Sequence, residues 1–319
     1  MTHSLHIGFD IGGTNIDAGL LDNKGNLIVR TATAFPGKGD TDALMRSLYN
    51  TALNLCQKAP CSPEDILTLG CATAGSIKSD GTSIIHAHNL GLHNFPLLTH
   101  LQQLFPQKQI AICNDANAAA AAELHLGALR GYSNAVMLTL GTGVGCALIL
   151  DGKLFNGGRG NGVEAGHMML KYGEASCSCG QKGCFEAYCS AAALMRHAEQ
   201  PGHKDSLLSQ LKQIRGRRPD AQLVAECVSH GDEAALCLWD DFTDHLAAAL
   251  GSLVNLLDPQ CIVIGGGLAN SGDLLFAPLR EKLRSHCFFD EPSPILQAQL
   301  GTDAGLTGAS LLAQQQYQQ

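Results

Sequence analysis

Short apolar runs of strand length dominate the first 34 residues of the chain, and turns of only a few residues join them. These runs predict three strands, over Leu5 to Ile11, Ile16 to Leu21 and Leu27 to Ala34. Because a parallel crossover needs about a dozen residues, the three strands should be mostly antiparallel. The next segment, Asp40 to Lys58, repeats apolar residues at helical spacing and predicts a helix with a polar cap at its start.

Strand and helix patterns then alternate to the end of the chain, which is typical of α/β proteins. Further strands are predicted over Ile66 to Ala74, Gln109 to Cys113, Ala135 to Leu140, Gly145 to Leu150, Cys261 to Ile264 and Ile295 to Ala298. Further helices are predicted over Leu97 to Phe105, Ala116 to Leu126, Glu186 to His197, Ala221 to Ser229, Asp232 to Leu257, Gly272 to Ser285 and Ala304 to Gln315. A hairpin with a Gly-Thr turn occurs near the start and again near residue 141. This repetition favours two related α/β halves that face each other across a cleft.

Composition narrows the class of protein. The chain has 319 residues, of which 45% are hydrophobic and 16% are charged, so an ordered protein of about two domains is expected. A net charge of -8 argues against nucleic acid or an anionic membrane surface as a partner. The N-terminal residues lack the basic and apolar pattern of a signal peptide, and glycines interrupt the longest apolar stretch. We therefore expect a cytoplasmic protein.

The glycine turns are candidate phosphate sites. Gly12, Gly13, Thr14 and Asn15 follow Asp10 at the end of the first strand, where glycines would permit positive φ and let backbone N–H groups approach a phosphate. Asp10 is a candidate for a phosphate-bound Mg²⁺. An ordinary hairpin turn is the alternative interpretation.

Two later glycine segments strengthen the phosphate hypothesis. The turn made by Gly141, Thr142 and Gly143 presents the same chemistry in the second half of the chain. The run of Gly265, Gly266 and Gly267 lies between a strand and a predicted helix, where the absence of side chains permits flat packing of a nucleotide base or ribose. A phosphate group is therefore the expected ligand of the first two segments, and the base or ribose of a nucleotide that of the third.

A cysteine cluster has the spacing of a metal site. Cys177, Cys179 and Cys184 form a C-x-C-x4-C run, and His167 lies ten residues upstream. Three thiolates and one imidazole complete a tetrahedral Cys3His set, so the hypothesis is a structural Zn²⁺ with no open position. Reduced core thiols are the alternative, and Cys189 is a second candidate for the fourth ligand.

These residues resemble the ROK proteins, a family of repressors, open reading frames and sugar kinases. The motifs that carry the resemblance are DIGGTN at Asp10, CNDANAAA around Asp115, LGTGVG at Leu140, EAGHM at Glu164, CSCGQKGCFEAY from Cys177 and IVIGGG at Ile262. The resemblance implies an actin-like (ribonuclease-H-like) α/β fold with two domains around a cleft, and phosphorylation of a hexose with ATP and Mg²⁺. We expect a small domain over residues 1–116 plus about 303–319, and a large domain over 117–302 that holds the zinc loop.

The resemblance also assigns roles to single residues. It makes Asp115 the catalytic base, although the residues alone favour Asp115 as an N-cap of the following helix. The implied sugar ligands are Gly75, Asn89, Asn114, Asp115, Glu164, His167 and Glu186, with His167 also on the zinc. The chain departs from the family pattern at Asn15, where Lys is common, and at Ala74-Gly75-Ser76, His88 and His93-Asn94. The last three departures fall in the loop expected to shape the sugar pocket. They therefore affect the prediction of which sugar is bound, and not the prediction of the reaction.

Several functions follow from these features. The leading hypothesis is an ATP-dependent kinase of the 6-hydroxyl of a hexose, with glucose as its substrate (a glucokinase), acting as a homodimer. An N-acetylglucosamine or N-acetylmannosamine kinase is the alternative within the same class. A sugar-responsive regulator is disfavoured, because no helix-turn-helix pattern precedes the first strand and the chain is acidic. A non-catalytic sugar-binding protein is the remaining alternative.

Overall fold

The computed structural model describes residues 4–160, 162–199, 206–208, 210 and 220–318. The strands are β1 (Leu5–Ile11), β2 (Asn15–Leu21), β3 (Leu27–Ala34), β4 (Ile66–Thr73), β5 (Ser76–Ile77), β6 (Ile84–Ala87), β7 (Leu92–Phe95), β8 (Gln109–Asn114), β9 (Ala135–Leu140), β10 (Val144–Leu150), β11 (Lys153–Phe155), β12 (Cys261–Gly265) and β13 (Ile295–Gln297).

The α-helices follow the predicted positions closely. They are α1 (Thr41–Lys58), α2 (Leu97–Leu104), α3 (Asp115–Leu126), α4 (Glu186–Cys189), α5 (Ala191–Ala198), α6 (Ala221–Ser229), α7 (Glu233–Leu257), α8 (Asp273–His286) and α9 (Ala304–Gln318). The single helix predicted from Glu186 is split at Ser190, because Ser190 is extended and its side chain caps α5 by accepting the Ala193 N–H. None of the described helices combines the length and apolar character that a bilayer span requires.

The first sheet has the strand order β3-β2-β1-β4-β8. β1, β2 and β3 are antiparallel neighbours, as predicted, and β4 and β8 add in parallel. The buried apolar residues of β1 and α1 belong to one core cluster that also includes residues of α2 and β8. This sheet therefore supplies the rigid frame on which the first glycine turn and Asp115 are mounted.

Two further sheets complete the architecture. One has the order β11-β10-β9-β12-β13, in which β12 pairs in parallel with both β9 and β13. The other is a small antiparallel sheet, β5-β6-β7. The sequence pattern did not predict the small sheet, because strands of two to four residues are too short to display a period.

Helix α9 contacts the first sheet and α3 through glycines. A Cβ on Gly8 of β1 would collide with the Leu306 carbonyl, and one on Gly70 of β4 would collide with the Ala309 carbonyl. On α9 itself, a Cβ on Gly308 would collide with the carbonyl of Ala118 in α3. The glycines therefore let α9 pack backbone to backbone against its neighbours.

The chain divides into two compact units. Unit 1 comprises residues 1–131, 147–163 and 299–319, and unit 2 comprises residues 132–146 and 164–298. Unit 1 extends beyond the sequence-based boundary at residue 116, because α3 packs against α9 and remains with the first sheet over its whole length.

Candidate active site

The first glycine turn lies between β1 and β2 in unit 1. The Gly12 N–H donates to the Asn15 carbonyl at 2.9 Å and closes the turn. The expectation of positive φ is wrong for Gly12 and Gly13, which keep ordinary backbone angles. Space favours glycine at Gly12, since a Cβ there would lie 3.2 Å from the Asn15 carbonyl oxygen, whereas a Cβ on Gly13 would make an ordinary contact at 3.5 Å from the Cβ of Asn89. Asn89 therefore lies beside the turn, where Thr14 and Asn15 are exposed.

Asp10 ends β1 next to this turn. It stands opposite Asp17 in the β1–β2 register, and a Cβ on Gly305 of α9 would collide with its carboxylate. Burial, together with the negative charges of Asp115 and Asp17, raises the pKa of Asp10 to about 7. Sequence reasoning found Asp10 but missed Gly305, which leaves room for its carboxylate.

Asp115 is the first residue of α3, and its neighbour Asn114 is the N-cap. The Asn114 Oδ1 accepts the N–H groups of Ala116 at 2.9 Å and Asn117 at 3.2 Å. The alternative that Asp115 is the N-cap is therefore wrong, although its Oδ1 also accepts the Ala116 N–H at 2.8 Å. Burial raises the pKa of Asp115, and the Ala116 N–H acts in the opposite direction.

Gly75 joins the small sheet to this region. The Asn114 Nδ2 donates to the Gly75 carbonyl at 3.1 Å. Gly75 has φ +97, and a Cβ there would collide with the carbonyl of His86 in β6. Only glycine fits both the backbone angle and the space. Within unit 1, the structure thus brings together seven of the predicted site residues: Asp10, Gly12, Gly13, Gly75, Asn89, Asn114 and Asp115.

The second glycine turn lies between β9 and β10 in unit 2. The Gly141 N–H donates to the Gly143 carbonyl at 3.0 Å, and Thr142 is exposed between them. The Val144 N–H donates to Glu186 Oε2 at 3.0 Å. A Cβ on Gly143 would collide with that same carboxylate oxygen, so the glycine is required by the position of Glu186.

Glu186 also reaches the cysteine loop. The Ser178 hydroxyl donates to Glu186 Oε1 at 2.8 Å. One carboxylate at the start of α4 therefore holds both the second glycine turn and the loop between Cys177 and Cys179. Sequence reasoning identified Glu186 but missed Ser178 and Val144 as its partners, and no local pattern marks either residue.

The third glycine segment packs against the second turn. Gly266 has φ +84, and a Cβ there would contact the backbone of Leu140, the residue that precedes Gly141. A Cβ on Gly265 would lie 3.1 Å from the Ala298 side chain, whereas one on Gly267 would meet open space. Gly267 opens a short 3-10 turn, Gly267–Ser271, before α8 begins. The two glycine segments therefore border one region of unit 2.

His167 and the three cysteines form a metal-ligand cluster. Each offers one ligand atom, and all four atoms lie within 4.8 Å of one another. The Cys179 and Cys184 sulfurs are 3.7 Å apart, and Cys177 Sγ lies 3.6 Å from His167 Nδ1. A tetrahedral Zn²⁺ with Zn–S bonds of about 2.3 Å separates its sulfurs by about 3.8 Å, so the donor set and its spacing fit that ion. Cys189 is buried in α4 and lies outside the cluster.

Glu164 precedes the 3-10 turn that carries His167. The His167 N–H donates to the Glu164 carbonyl at 2.9 Å, and Gly166 between them packs against the Val144 carbonyl. Burial and the charge of Glu164 raise the pKa of Cys146 in β10 to about 12. The E-x-G-H segment is thus anchored on β10, next to the second glycine turn.

Comparisons with known proteins agree with this arrangement. Residues 6–316 match the model of the ROK family. The chain is 31% identical to a glucokinase of Thermotoga maritima, over 95% of each protein. It is 32% identical to an N-acetylgalactosamine kinase of Shewanella sp. (strain ANA-3), over 97% of this chain and 96% of that protein.

Solved structures of ROK family kinases have the same fold as this chain. The crystal structure of a ROK family glucokinase from Streptomyces griseus in complex with glucose and AMPPNP matches with a TM-score of 0.85 and 30% identity, over 98% of this chain and 99% of that one. The ROK hexokinase from Thermus thermophilus matches with a TM-score of 0.80. The actin-like α/β fold expected from the sequence is confirmed.

Proposed function

Because the chain belongs to the ROK family, we propose that it is an ATP-dependent kinase of the 6-hydroxyl of a hexose, with glucose as its substrate. The observation that carries this proposal is the environment of Asp115. Its carboxylate is desolvated, its pKa is raised, and Asn114 takes over the role of N-cap. The similarity to glucokinases over nearly the whole chain supports glucose.

Asp115 is the proposed general base. A sugar hydroxyl is not ionised at neutral pH, so a carboxylate within hydrogen-bond reach has to accept its proton as the bond to phosphorus forms. A raised pKa brings the carboxyl closer to the operating pH, where such a base is most effective. The rest of phosphoryl transfer is positioning and charge neutralisation.

Asp10 is the proposed Mg²⁺ site. Its carboxylate is half-buried, and it lies close enough to Asp115 for the two negative charges to repel each other. A divalent cation would relieve this repulsion, and Mg²⁺ binds preferentially to carboxylate oxygens. When bound, Mg²⁺ would neutralise charge on the phosphates of ATP. We propose that the ATP-binding residues are Gly12, Gly13, Thr14, Asn15, Gly141, Thr142, Gly143, Gly265, Gly266 and Gly267.

We propose that the sugar is bound by Gly75, Asn89, Asn114, Glu164, His167 and Glu186. A carboxylate offers about four lone-pair positions, so Glu186 retains acceptors after binding Val144 and Ser178. His167 directs Nδ1 toward Cys177 and keeps Nε2 for a hydroxyl.

The cysteine cluster is proposed to hold a structural Zn²⁺ on His167, Cys177, Cys179 and Cys184. All four ligand positions would be protein atoms, so the ion would order the loop and take no part in phosphoryl transfer. We further propose a cytoplasmic homodimer. None of the thirteen cysteines forms a disulfide, as a reducing compartment favours. ATP is the proposed donor of the phosphoryl group.

A sugar panel tests the proposed function. ATP consumption would be coupled to a reporter with glucose, mannose, fructose, allose, N-acetylglucosamine, N-acetylmannosamine and N-acetylgalactosamine as separate substrates. Glucose is expected to give the highest kcat/KM. The departures at His88 and His93 and the similarity to an N-acetylgalactosamine kinase favour an N-acetylhexosamine as the second candidate. If none of these sugars were phosphorylated, the kinase proposal would be refuted.

A further inference from the structure

Three imidazoles gather on an exposed face of the small sheet. His86 of β6 stands directly opposite His93 of β7 in the antiparallel register, and their ring centroids are 4.2 Å apart. His88 lies two residues beyond His86, and its ring stacks on that of His86 with centroids 5.9 Å apart. All three residues are exposed. The proposed function assigns none of them a contact with ATP or with the sugar.

The three rings have no polar partner among the described residues. His6 hydrogen-bonds Thr68 and Asn23, and His230 bonds the Glu226 carbonyl. By contrast, no hydrogen bond or ion pair to the imidazole ring of His86, His88 or His93 is formed within the described ranges, and their ring contacts are with one another. Each ring therefore keeps a nitrogen lone pair available when it is neutral.

The ring spacing suits coordination of one metal ion. A metal bound about 2.1 Å from an imidazole nitrogen lies about 3.2 Å from the ring centroid, so two ligand rings at tetrahedral or square angles have centroids about 4.5–5.2 Å apart. The observed separations of 4.2 Å and 5.9 Å bracket this range. The His86 and His88 rings stack with 6° between their planes, so χ rotations of the exposed side chains have to turn their nitrogens toward one ion, and these rotations require no repacking of the core.

We propose that His86, His88 and His93 form a surface site for a divalent late transition metal (Ni²⁺, Cu²⁺ or Zn²⁺), separate from the cysteine cluster. Neutral imidazole is a preferred ligand of these ions. The ion would link β6 to β7 and fix the loop between them. That loop carries Asn89, which lies beside Gly13, and the His86 carbonyl packs against Gly75.

Isothermal titration of Ni²⁺ into tag-free protein that holds one Zn²⁺ per chain in the cysteine cluster, and from which excess metal has been removed by gel filtration, tests the site. The wild-type chain should bind about one Ni²⁺ per chain in this site. The His86→Asn/His93→Asn double variant should bind it at least about tenfold more weakly, because even the loss of a residue that only hydrogen-bonds a metal ligand costs that much metal affinity. His230→Asn is the matched control, since His230 is also exposed but hydrogen-bonded, and it should bind as the wild type does.

A second variant distinguishes the loss of a metal ligand from misfolding of the small sheet. His88 lies beyond the end of β6, so His88→Asn leaves the strand pairing intact and should also weaken Ni²⁺ binding. Equal Ni²⁺ affinity in the wild type, the double variant and His88→Asn would overturn the proposal, as would an equal loss in His230→Asn. These outcomes need no kinase activity, so they are independent of the proposed function.

The effect on the sugar loop rests on the proposed function and has its own readout. Saturating Ni²⁺ should change the KM for the sugar at least about twofold in the wild type and leave it unchanged in the double variant. An equal KM with and without Ni²⁺, despite measured binding, would retain the metal site and overturn its coupling to Asn89.

Discussion

The carboxylate of Glu186 accepts the backbone N–H of Val144 at 3.0 Å, and through this bond the start of α4 holds the second glycine turn. Its other oxygen accepts the Ser178 hydroxyl at 2.8 Å. One side chain thus connects a proposed ATP-binding turn with the loop that carries the metal ligands. We infer that Glu186 couples the order of the two segments, besides its proposed contact with the sugar.

Glu186→Gln should therefore lower kcat/KM for both substrates. The amide has one acceptor oxygen, so its NH2 group must face either the Val144 N–H or the Ser178 hydroxyl. A hydrogen bond to a charged group contributes about 1.5–3 kcal/mol, so kcat/KM should fall about tenfold or more for ATP and for sugar. Steady-state kinetics with each substrate varied in turn measure this. Glu174→Gln, in the same loop, should change neither value, and a Glu186→Gln effect on sugar alone would contradict the coupling.

Asp115→Asn should lower kcat by about 10² to 10⁴ and leave the KM for sugar within a few-fold, since it removes the base and retains the shape. Asp42→Asn, an exposed acid in the first turn of α1, is the control and should leave kcat unchanged. Turnover of Asp115→Asn near the wild-type value would exclude Asp115 as the base.

Asp10 should make the stability of the Mg²⁺-free protein depend on pH. Its folded pKa of about 7 exceeds the ordinary value of 3.8 because of burial and the charge of Asp115. The raised pKa means that this contribution to stability is fully present below pH 4 and is lost as the pH rises to 7, because over that range the unfolded state releases a proton that the folded state still holds. Asp10→Asn keeps a neutral side chain, so its stability advantage over the wild type should grow from pH 5 to pH 8.

Thermal unfolding with a chelator present measures this advantage. One pKa unit corresponds to about 1.4 kcal/mol, so the change between pH 5 and pH 8 is about 3 kcal/mol at most. The midpoint of Asp10→Asn should exceed that of the wild type more at pH 8 than at pH 5. A constant difference between the two proteins across this range would contradict the raised pKa.

Cys179→Ser should remove the proposed Zn²⁺ and raise the KM for sugar more than the KM for ATP. The cysteine loop contacts Glu186 through Ser178, and the metal-ligand cluster includes His167. Glu186 and His167 are both proposed sugar ligands. Metal analysis should give about one zinc per chain in the wild type and in Cys237→Ser, which alters an exposed free thiol on α7. A zinc-free wild-type protein with full activity would refute the site.

The features predicted correctly are those that depend on residues close together in the sequence. The strands of the first sheet follow from their apolar runs, and the cysteine cluster from its short spacing. The contact between Val144 and Glu186 was not predictable, because the two residues are 42 positions apart and only folding brings them together. The cap at α3 was misassigned because Asn114 and Asp115 are both good N-caps, and only the backbone shows which of them precedes the first turn.

The glycine turns show a second limit of local patterns. A glycine can be required by positive φ or by lack of space, and the sequence does not distinguish the two reasons. Gly75 and Gly266 have positive φ, whereas Gly12, Gly13 and Gly143 do not. At Gly143 the reason is the Glu186 carboxylate, which would collide with any side chain.

Gly75→Ala separates these two reasons by experiment. Alanine at Gly75 would meet both an unfavourable φ of +97 and a collision with the His86 carbonyl, whereas alanine at Gly231 would meet only an unfavourable φ of +76. The backbone angle alone costs about 1–2 kcal/mol, so Gly231→Ala should lower the thermal midpoint slightly and leave kinetics unchanged. Gly75→Ala should lower the midpoint further. It should also raise the KM for sugar, because the Gly75 carbonyl that orients Asn114 has to move. Equal midpoints and equal KM values in the two variants would mean that the contact between Gly75 and β6 does not constrain the proposed sugar loop.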